Sequence, residues 1–165
     1  MASVQRITPC LWFDDQAEDA ARFYTGIFPN SRITAVTRYS EVGEEIHGRP
    51  AGSVMVVAFE LDGHAFTGLN GGPIFRFNEA VSFQVMCDDQ AEVDRLWSAI
   101  EGNGGQPMAC SWIKDRWGLA WQIVPRVMLE MLSSEDRAAA ERAMLAMMDM
   151  VKLDIAKLER AYRGG

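Results

Sequence analysis

The sequence has no apolar run long enough to cross a membrane. Its uninterrupted apolar stretches stay far below the roughly 18 residues of a spanning helix, and residues 1–7 lack the apolar core of a signal peptide. Basic residues are scarce as well, since 16 Lys and Arg stand against 23 Asp and Glu, for a net charge of -7. Phosphate backbones are bound by basic surfaces. We therefore expect a cytoplasmic protein with no membrane or nucleic-acid partner.

Cysteine and histidine are also few. The three cysteines, Cys10, Cys87 and Cys110, cannot all pair within one chain and form no C-x-x-C motif, which indicates reduced, mostly buried thiols and excludes a disulfide framework. The two histidines, His47 and His64, lie too far apart for a metal-binding spacing, and we expect surface or structural roles for both. A metal held by His47 with the two glutamates of the same loop stays open as an alternative.

What the sequence does contain is an internal repeat. With 48% hydrophobic and 24% charged residues mixed along 165 positions, the composition is that of a single globular domain. Within it, the segment Asp14–Glu18 recurs as Asp88–Glu92, 74 residues later, with every residue identical. Each copy follows an apolar, β-prone run and opens a helical pattern that ends at turn residues. The chain is therefore predicted to contain two related modules.

Each predicted helix has one apolar stripe, as a helix lying on a sheet should. The stripes are Ala20, Phe23, Tyr24 and Ile27 in the first helix and Val93, Leu96, Trp97 and Ile100 in the second. Strand candidates follow the helices at Arg32–Tyr39, Ser53–Leu61 and His64–Leu69, and at Gln106–Ala109, Ser111–Lys114 and Gly118–Val124. The predicted fold class is α+β, with two βαβββ modules and a helical C-terminal extension.

Turn residues and changes in composition set the predicted boundaries. Module one spans about 1–72, a Gly-rich linker about 70–78, module two about 79–125 and a helical tail about 126–165. Residues 41–51 are predicted to be a mobile polar loop. Ser133 or Ser134 is predicted to cap the first tail helix, and a second helix is predicted near residues 152–162. The tail carries an apolar stripe: Met144, Leu145, Met147, Met148 and Val151. It packs on the chain's own sheets or on a sister subunit, or it forms a methionine-rich surface for varied partners.

Three segments of the second module resemble a known superfamily. Phe83–Cys87, Trp112–Asp115 and Trp121–Pro125, taken with the paired βαβββ layout, are similar to the PhnB-like branch of the vicinal oxygen chelate superfamily. This superfamily includes glyoxalases, extradiol dioxygenases and bleomycin-resistance proteins, and the branch is often described as 3-demethylubiquinone 3-methyltransferase. The resemblance implies two glyoxalase-like curved sheets that form an open cup holding the active site. It also implies a homodimer.

The resemblance further implies where a metal would be bound. Metal-dependent members take one ligand from the first strand and one from the last strand of each module. The matching positions here are Thr8 or its neighbour Pro9, Thr67, Ser82 and Gln122. Catalytic zinc and iron sites need several His, Cys, Asp or Glu ligands, and neutral hydroxyls and amides do not offset the dehydration of a divalent ion. We therefore expect no metal and no other cofactor.

Strand alternation places polar and aromatic residues together on one face of each first strand. These faces carry Thr8, Cys10 and Trp12 in module one and Ser82, Gln84 and Met86 in module two. Their side chains combine polar groups with large contact surfaces, as the lining of small-molecule pockets does. The alternative is a filled core in which the hydroxyl groups are hydrogen-bonded to other protein groups. Trp112, Trp117 and Trp121 add aromatic surface for stacking. The predicted ligand-binding residues are Thr8, Cys10, Trp12, Thr67, Ser82, Gln84, Trp112 and Gln122.

The reaction chemistry stays open at this point. Three roles stay open for Lys114 and Asp115. They are a general base with its partner, a contact to an anion, or a charged turn between two strands. Methyl transfer from S-adenosylmethionine commonly uses a Gly-rich turn between a strand and a helix, whereas Gly71–Gly72 precedes a strand and Gly102–Gly105 follows a helix. The leading prediction is a metal-independent, small-molecule-binding protein. The alternative is an enzyme of the same superfamily: an isomerase, a dioxygenase-like enzyme or a methyltransferase.

Overall fold

The computed structural model describes residues 5–165, and the predicted start of module one, residues 1–4, lies outside the described residues. The chain divides into two units, residues 1–76 and residues 77–165, each with its own sheet. None of the helices in the described part of the chain is long and apolar enough to span a membrane.

Unit one is a four-stranded sheet with one long helix. Its elements, in chain order, are β1 (Cys10–Phe13), α1 (Ala17–Ile27), β2 (Arg32–Arg38), α2 (Glu44–His47), β3 (Val54–Leu61) and β4 (His64–Asn70). The strand order is β1-β4-β3-β2, with β1 parallel to β4 and the other neighbours antiparallel. Asp62 and Gly63 join β3 to β4, and both have positive φ, 45° and 77°, as a tight two-residue hairpin turn requires.

Unit two repeats this topology and adds a helical tail. Its elements are β5 (Ser82–Cys87), α3 (Gln90–Gly102), β6 (Gln106–Pro107), β7 (Trp112–Lys114), β8 (Ala120–Pro125), α4 (Arg126–Leu132), α5 (Arg137–Met148) and α6 (Ile155–Arg163). The strand order is β5-β8-β7-β6, again with the first strand parallel to the last. The predicted α+β fold with two βαβββ modules and a helical extension is confirmed.

One face of each long helix packs on its sheet. In α3 the buried residues are those of the predicted stripe: Val93, Leu96, Trp97 and Ile100. In α1 they are Ala17, Ala20, Ala21 and Tyr24, so the predicted stripe is wrong for Phe23 and Ile27, which are only partly buried. The reason is the close approach of α1 to its sheet, where a Cβ on Gly68 would lie 3.2 Å from the Ala17 Cβ. Small residues face the sheet because large ones do not fit there.

The two copies of the repeated segment start their helices differently. In the second copy, Asp89 accepts a hydrogen bond from the Glu92 N–H at 2.8 Å, and the Glu92 carboxylate accepts one from the Asp88 N–H, also at 2.8 Å, in a variant of the capping box. In the first copy, the N-cap residue of α1 makes no side-chain cap bond. The buried Asn70, at the end of β4, accepts from the Ala17 N–H at 2.8 Å instead. Identical sequences therefore adopt different caps in different surroundings.

Residues 41–51, predicted to be a mobile polar loop, contain the one-turn helix α2. The His47 ring lies against the Tyr39 ring, with 4.6 Å between centroids, and its Nδ1 accepts from the Arg49 N–H at 3.0 Å. The Arg49 guanidinium donates to the backbone carbonyl and the carboxylate of Asp14. These contacts hold the segment against the end of β1, and the mobility of the loop stays a prediction.

The tail begins as a helix directly after β8, at the predicted start of the helical tail, although the first tail helix is predicted to begin only at Ser133 or Ser134. Pro125 ends β8 and is also the N-cap residue of α4. The predicted cap of the next helix is wrong as well, because Asp136, and not Ser133 or Ser134, accepts from the Ala139 N–H at 3.0 Å and starts α5. The second predicted tail helix is present as α6.

The tail helices pack on the sheet of unit two around an apolar cluster. Its buried members are Val124, Met128, Met131, Ala143, Leu153 and Leu158. Gln90 ties the tail to the start of α3, since its Nε2 donates to the Leu153 carbonyl at 3.1 Å and its Oε1 accepts from the Ile155 N–H at 2.8 Å. Of the predicted methionine-rich stripe, Met147 packs against this cluster. The other members are exposed: Met144, Leu145, Met148 and Val151.

Candidate functional site

In unit two, strand pairing places four of the predicted site residues on one face of the sheet. Gln84 on β5 lies beside Gln122 on β8, and Gln122 lies beside Trp112 on β7. Ser82 lies two residues before Gln84 and shares its face, because side chains alternate along a strand. Helix α3 packs on the opposite face. The structure therefore brings together Ser82, Gln84, Trp112 and Gln122.

A chain of hydrogen bonds joins three of these side chains. Gln122 Nε2 donates to Ser82 Oγ at 2.8 Å, and Gln84 Nε2 donates to Gln122 Oε1 at 3.3 Å. Gln122 is partly exposed although its neighbours along β8 are buried. Its amide is the one polar side chain of this strand. The chain ends in the Ser82 hydroxyl proton on one side and the Gln84 carbonyl oxygen on the other. It can present a donor and an acceptor to the same ligand.

Lys114 adds a positive charge to this face. It lies two residues after Trp112 on β7 and forms an ion pair with Glu79, which precedes β5. The hydrogen bond from Lys114 lowers the pKa of Glu79 below its ordinary value. Sequence reasoning missed Glu79. The available signal is Asn78, whose Oδ1 accepts from the Ala80 N–H at 2.9 Å in a turn that presents Glu79.

Asp115 has a structural role in the turn between β7 and β8. Its carboxylate is 3% exposed and accepts hydrogen bonds from the Trp117 N–H at 2.9 Å, the Leu119 N–H at 3.0 Å and Trp121 Nε1 at 3.0 Å. Trp121 itself is buried. Of the alternatives for Lys114 and Asp115, the charged turn therefore describes Asp115, whose oxygens are already hydrogen-bonded to the turn and to Trp121 on β8.

In unit one, the pairing of β1 with β4 places Cys10 directly beside Thr67. Both side chains and that of Trp12 lie on the face opposite α1, since the alternate residues of β1 are buried under the helix. Thr67 is fixed at its backbone, where its N–H donates to the Pro9 carbonyl at 3.0 Å. Unit one thus brings together three of its four predicted site residues.

The other predictions for unit one need correction in detail. Thr8 is exposed and precedes β1, so its predicted position in the first strand is wrong. The physical reason is Pro9, which has no N–H to extend the strand ladder. Trp12 is in the strand, but its Nε1 donates to the Gly72 carbonyl at 2.8 Å and its ring packs edge-on against Phe75, with 4.8 Å between centroids. Part of the Trp12 ring is therefore occupied by the segment after β4.

The cysteines are all free thiols in different environments. Cys87 is buried, and burial raises the pKa of its thiol to about 12, so the thiol is protonated and unreactive at neutral pH. Cys10 is exposed and Cys110 is partly exposed. The prediction of mostly buried thiols is therefore correct for Cys87 and wrong for Cys10.

The positions that the resemblance assigns to metal ligands do not fit a divalent ion. Thr8 and Thr67 in unit one and Ser82 and Gln122 in unit two carry no charge and no imidazole. The Gln122 amide is, in addition, hydrogen-bonded through both its oxygen and its nitrogen. Among residues 5–165, no three His, Cys, Asp or Glu side chains form a group that could hold a metal, and this includes the alternative set around His47.

Two sheets of the same topology, each with its first strand parallel to its last and a helix on one face, define a class of protein. The fosfomycin resistance protein FosX of Listeria monocytogenes matches this fold with a TM-score of 0.55 at 14% identity, over 81% of this chain and 100% of FosX. A protein of Pseudomonas aeruginosa matches with a TM-score of 0.56 at 20% identity, over 74% of this chain and 98% of that protein. The fold is that of the vicinal oxygen chelate superfamily.

Sequence similarity assigns the chain to one family within this superfamily. The family described as 3-demethylubiquinone-9 3-methyltransferase matches residues 5–124, and the chain belongs to this family. A PhnB protein of Bacillus cereus, provisionally described by the same name, is 29% identical with a TM-score of 0.64, over 73% of this chain and 99% of that protein. No protein with a curated description matches the sequence. The predicted PhnB-like resemblance is confirmed.

The methyl donor that the family description implies does not fit the glycine-rich turns. A Cβ on Gly71 would lie 2.2 Å from Trp12 Cζ2, and a Cβ on Gly105 would lie 2.5 Å from the Ile100 carbonyl oxygen. Both glycines therefore permit close packing inside their own unit. Neither forms the strand-to-helix turn that binds a nucleotide in Rossmann-like sites, and neither sheet is built from parallel strands alone.

Proposed function

We propose that this chain binds a small, partly aromatic molecule on the face of unit two without the help of a metal ion. That face, the amide face, is defined by four residues: Ser82, Gln84, Trp112 and Gln122. The observation that carries the proposal is the hydrogen-bonded chain from Ser82 through Gln122 to Gln84, beside an indole ring. The family and the fold support a small-molecule role of this kind.

The chemistry of the amide face suits a planar ligand with polar edges. A ligand oxygen can accept the Ser82 proton, and a ligand N–H or O–H can donate to the Gln84 carbonyl oxygen. An aromatic ring can pack on Trp112. All of these groups are neutral, so they can bind and orient a polar molecule but do not offset the dehydration of a metal ion. We propose the same kind of role for the predicted residues of unit one: Thr8, Cys10, Trp12 and Thr67.

An enzyme of the same superfamily is the second candidate, because the family description names methyl transfer. Saturable binding of S-adenosylmethionine together with formation of a methylated product would support that candidate. Saturable binding of a ligand without any product supports the proposed binding function.

The side-chain amides themselves provide the test. We would titrate the ¹⁵N-labelled full chain with 1-naphthamide and follow the NH₂ resonances of Gln84 and Gln122. Both should shift, and Gln122→Leu should weaken binding about fivefold, because it removes the two hydrogen bonds that orient the Ser82 hydroxyl and the Gln84 amide toward the ligand, a loss we set at about 1 kcal/mol. Gln16→Leu is the matched control, since Gln16 is exposed and its side chain makes no cap bond. Shifts confined to other resonances, or equal weakening by both variants, would contradict the proposal.

A further inference from the structure

We infer that Lys114 is the anion-recognition residue beside the amide face and that Glu79 is its built-in competitor, so that the ligand is a planar, aromatic acid. The inference rests on the proposed function of the same face and names the class of ligand. It is carried by the position of a single ion pair in unit two, between the Lys114 ammonium group and the Glu79 carboxylate.

The strand register places the Lys114 charge where a bound ligand would meet it. Lys114 pairs with Ala120, and Ala120 pairs with Ser82, so the three residues form one row across the sheet. Trp112 precedes Lys114 by two residues on the same face, a distance of about 7 Å along a strand. A ring packed on Trp112 can therefore place an acidic group at Lys114 and a second polar group at Ser82.

The charge is unusual for its surroundings. Within β5, β6, β7 and β8, all of which the structure describes, Lys114 is the only charged residue. Its side chain is 28% exposed, and its neighbour Ala120 in the row is fully buried. An anionic partner offsets part of the cost of placing a lysine where it is partly removed from water. Glu79 supplies that partner in the structure.

The position of Glu79 allows a ligand to displace it from the ion pair with Lys114. It lies in the turn before β5 and not in a strand, and its side chain is 44% exposed. Ion pairs this exposed contribute little to stability, because water and salt screen both charges. An acid that also stacks on Trp112 and reaches Ser82 makes contacts that Glu79 does not make. Such an acid displaces Glu79, whereas a neutral molecule of the same shape leaves the ion pair in place.

Two probes of one shape and different charge separate these possibilities. We would measure the affinities of 1-naphthoate and 1-naphthamide for the full chain by calorimetry and take their ratio. Lys114→Met should lower the ratio, naphthoate over naphthamide, at least about tenfold, and Glu79→Gln should raise it about fivefold. Asp94→Asn is the matched control, since it removes the carboxylate of the Lys152–Asp94 ion pair of the same unit and should leave the ratio unchanged. Thermal melting would confirm that each variant is folded.

The outcomes distinguish this inference from the proposed function. If naphthamide shifts the Gln122 amide resonance but neither Lys114→Met nor Glu79→Gln changes the ratio, the inference is wrong and the proposed function stands. If neither probe reaches the amide face, both are wrong. If Glu79→Gln and Asp94→Asn change the ratio equally, the effect is one of net charge and the role of Glu79 as competitor is disproved.

Discussion

At the scale of the residue, the Gln122 amide gives the face of unit two its hydrogen-bonding pattern. Gln122 lies where the superfamily resemblance places a ligand from the last strand, and an amide there has nearly the shape of a glutamate carboxylate without its charge. The amide also has a donor that a carboxylate lacks, and Gln122 uses it to bind Ser82 Oγ. A glutamine at this position offers no anionic ligand and joins Ser82 and Gln84 in a hydrogen-bonded chain.

Gly71, directly after β4, is a position where one added carbon atom should change the stability of the fold. Gly71→Ala should destabilise the chain by about 1–3 kcal/mol, because the added methyl group would overlap the Trp12 ring and displace it. Gly26→Ala is the matched control. It lies in α1 with nothing within 4 Å of its added Cβ, so it should stabilise the helix by about 0.5–1 kcal/mol. Urea unfolding of both variants tests the prediction, and a change of the same sign in both would contradict it.

Single residues also explain two limits of sequence reasoning. Glu79 could not be assigned to the site because it lies outside the strands, and its position depends on a turn that the Asn78 side chain closes. The position of Thr8 could not be predicted for a different reason. Strand alternation assigns a residue to a face only within a strand, and β1 begins after Pro9.

At the scale of the element, the repeated segment shows that identical sequences need not have identical roles. Asp89→Ala should cost about 1 kcal/mol of unfolding free energy, because Asp89 caps α3 through the Glu92 N–H. The equivalent change, Asp15→Ala, should cost less than about 0.5 kcal/mol, since Asn70 caps α1 from outside the repeat. Chemical denaturation of the two variants compares them directly. Equal losses would show that the two caps are equivalent after all.

Helix packing was predictable in one unit and not in the other, for a physical reason. In α3, large apolar side chains fill the space above the sheet, so hydrophobicity alone identifies the buried face. In α1, the helix lies so close to β4 that alanines occupy the interface, and Phe23 is left partly exposed. Hydrophobic size misleads wherever two elements approach this closely.

At the scale of the whole molecule, the topology was readable because it is duplicated. The repeat identifies the first strand and helix of each module, and turn residues mark the strands that follow. The site in unit two then follows from the period of a strand together with the parallel pairing of β5 and β8, which brings Gln84 beside Gln122. Start positions in the tail were harder to predict, because Asp136 and Pro125 compete with other residues that can also begin a helix. The homodimer stays a prediction.

We propose that this chain binds its ligand without a metal ion, and its affinity for divalent ions decides whether that is so. The full chain, treated with chelator and then dialysed, would be titrated by calorimetry with Zn²⁺, Mn²⁺ and Co²⁺ in turn. We expect no saturable uptake of one ion per chain tighter than about 100 μM, because hydroxyls and amides are poor ligands for these ions. Binding of one ion per chain at submicromolar concentration, lost in Gln122→Leu, would contradict it.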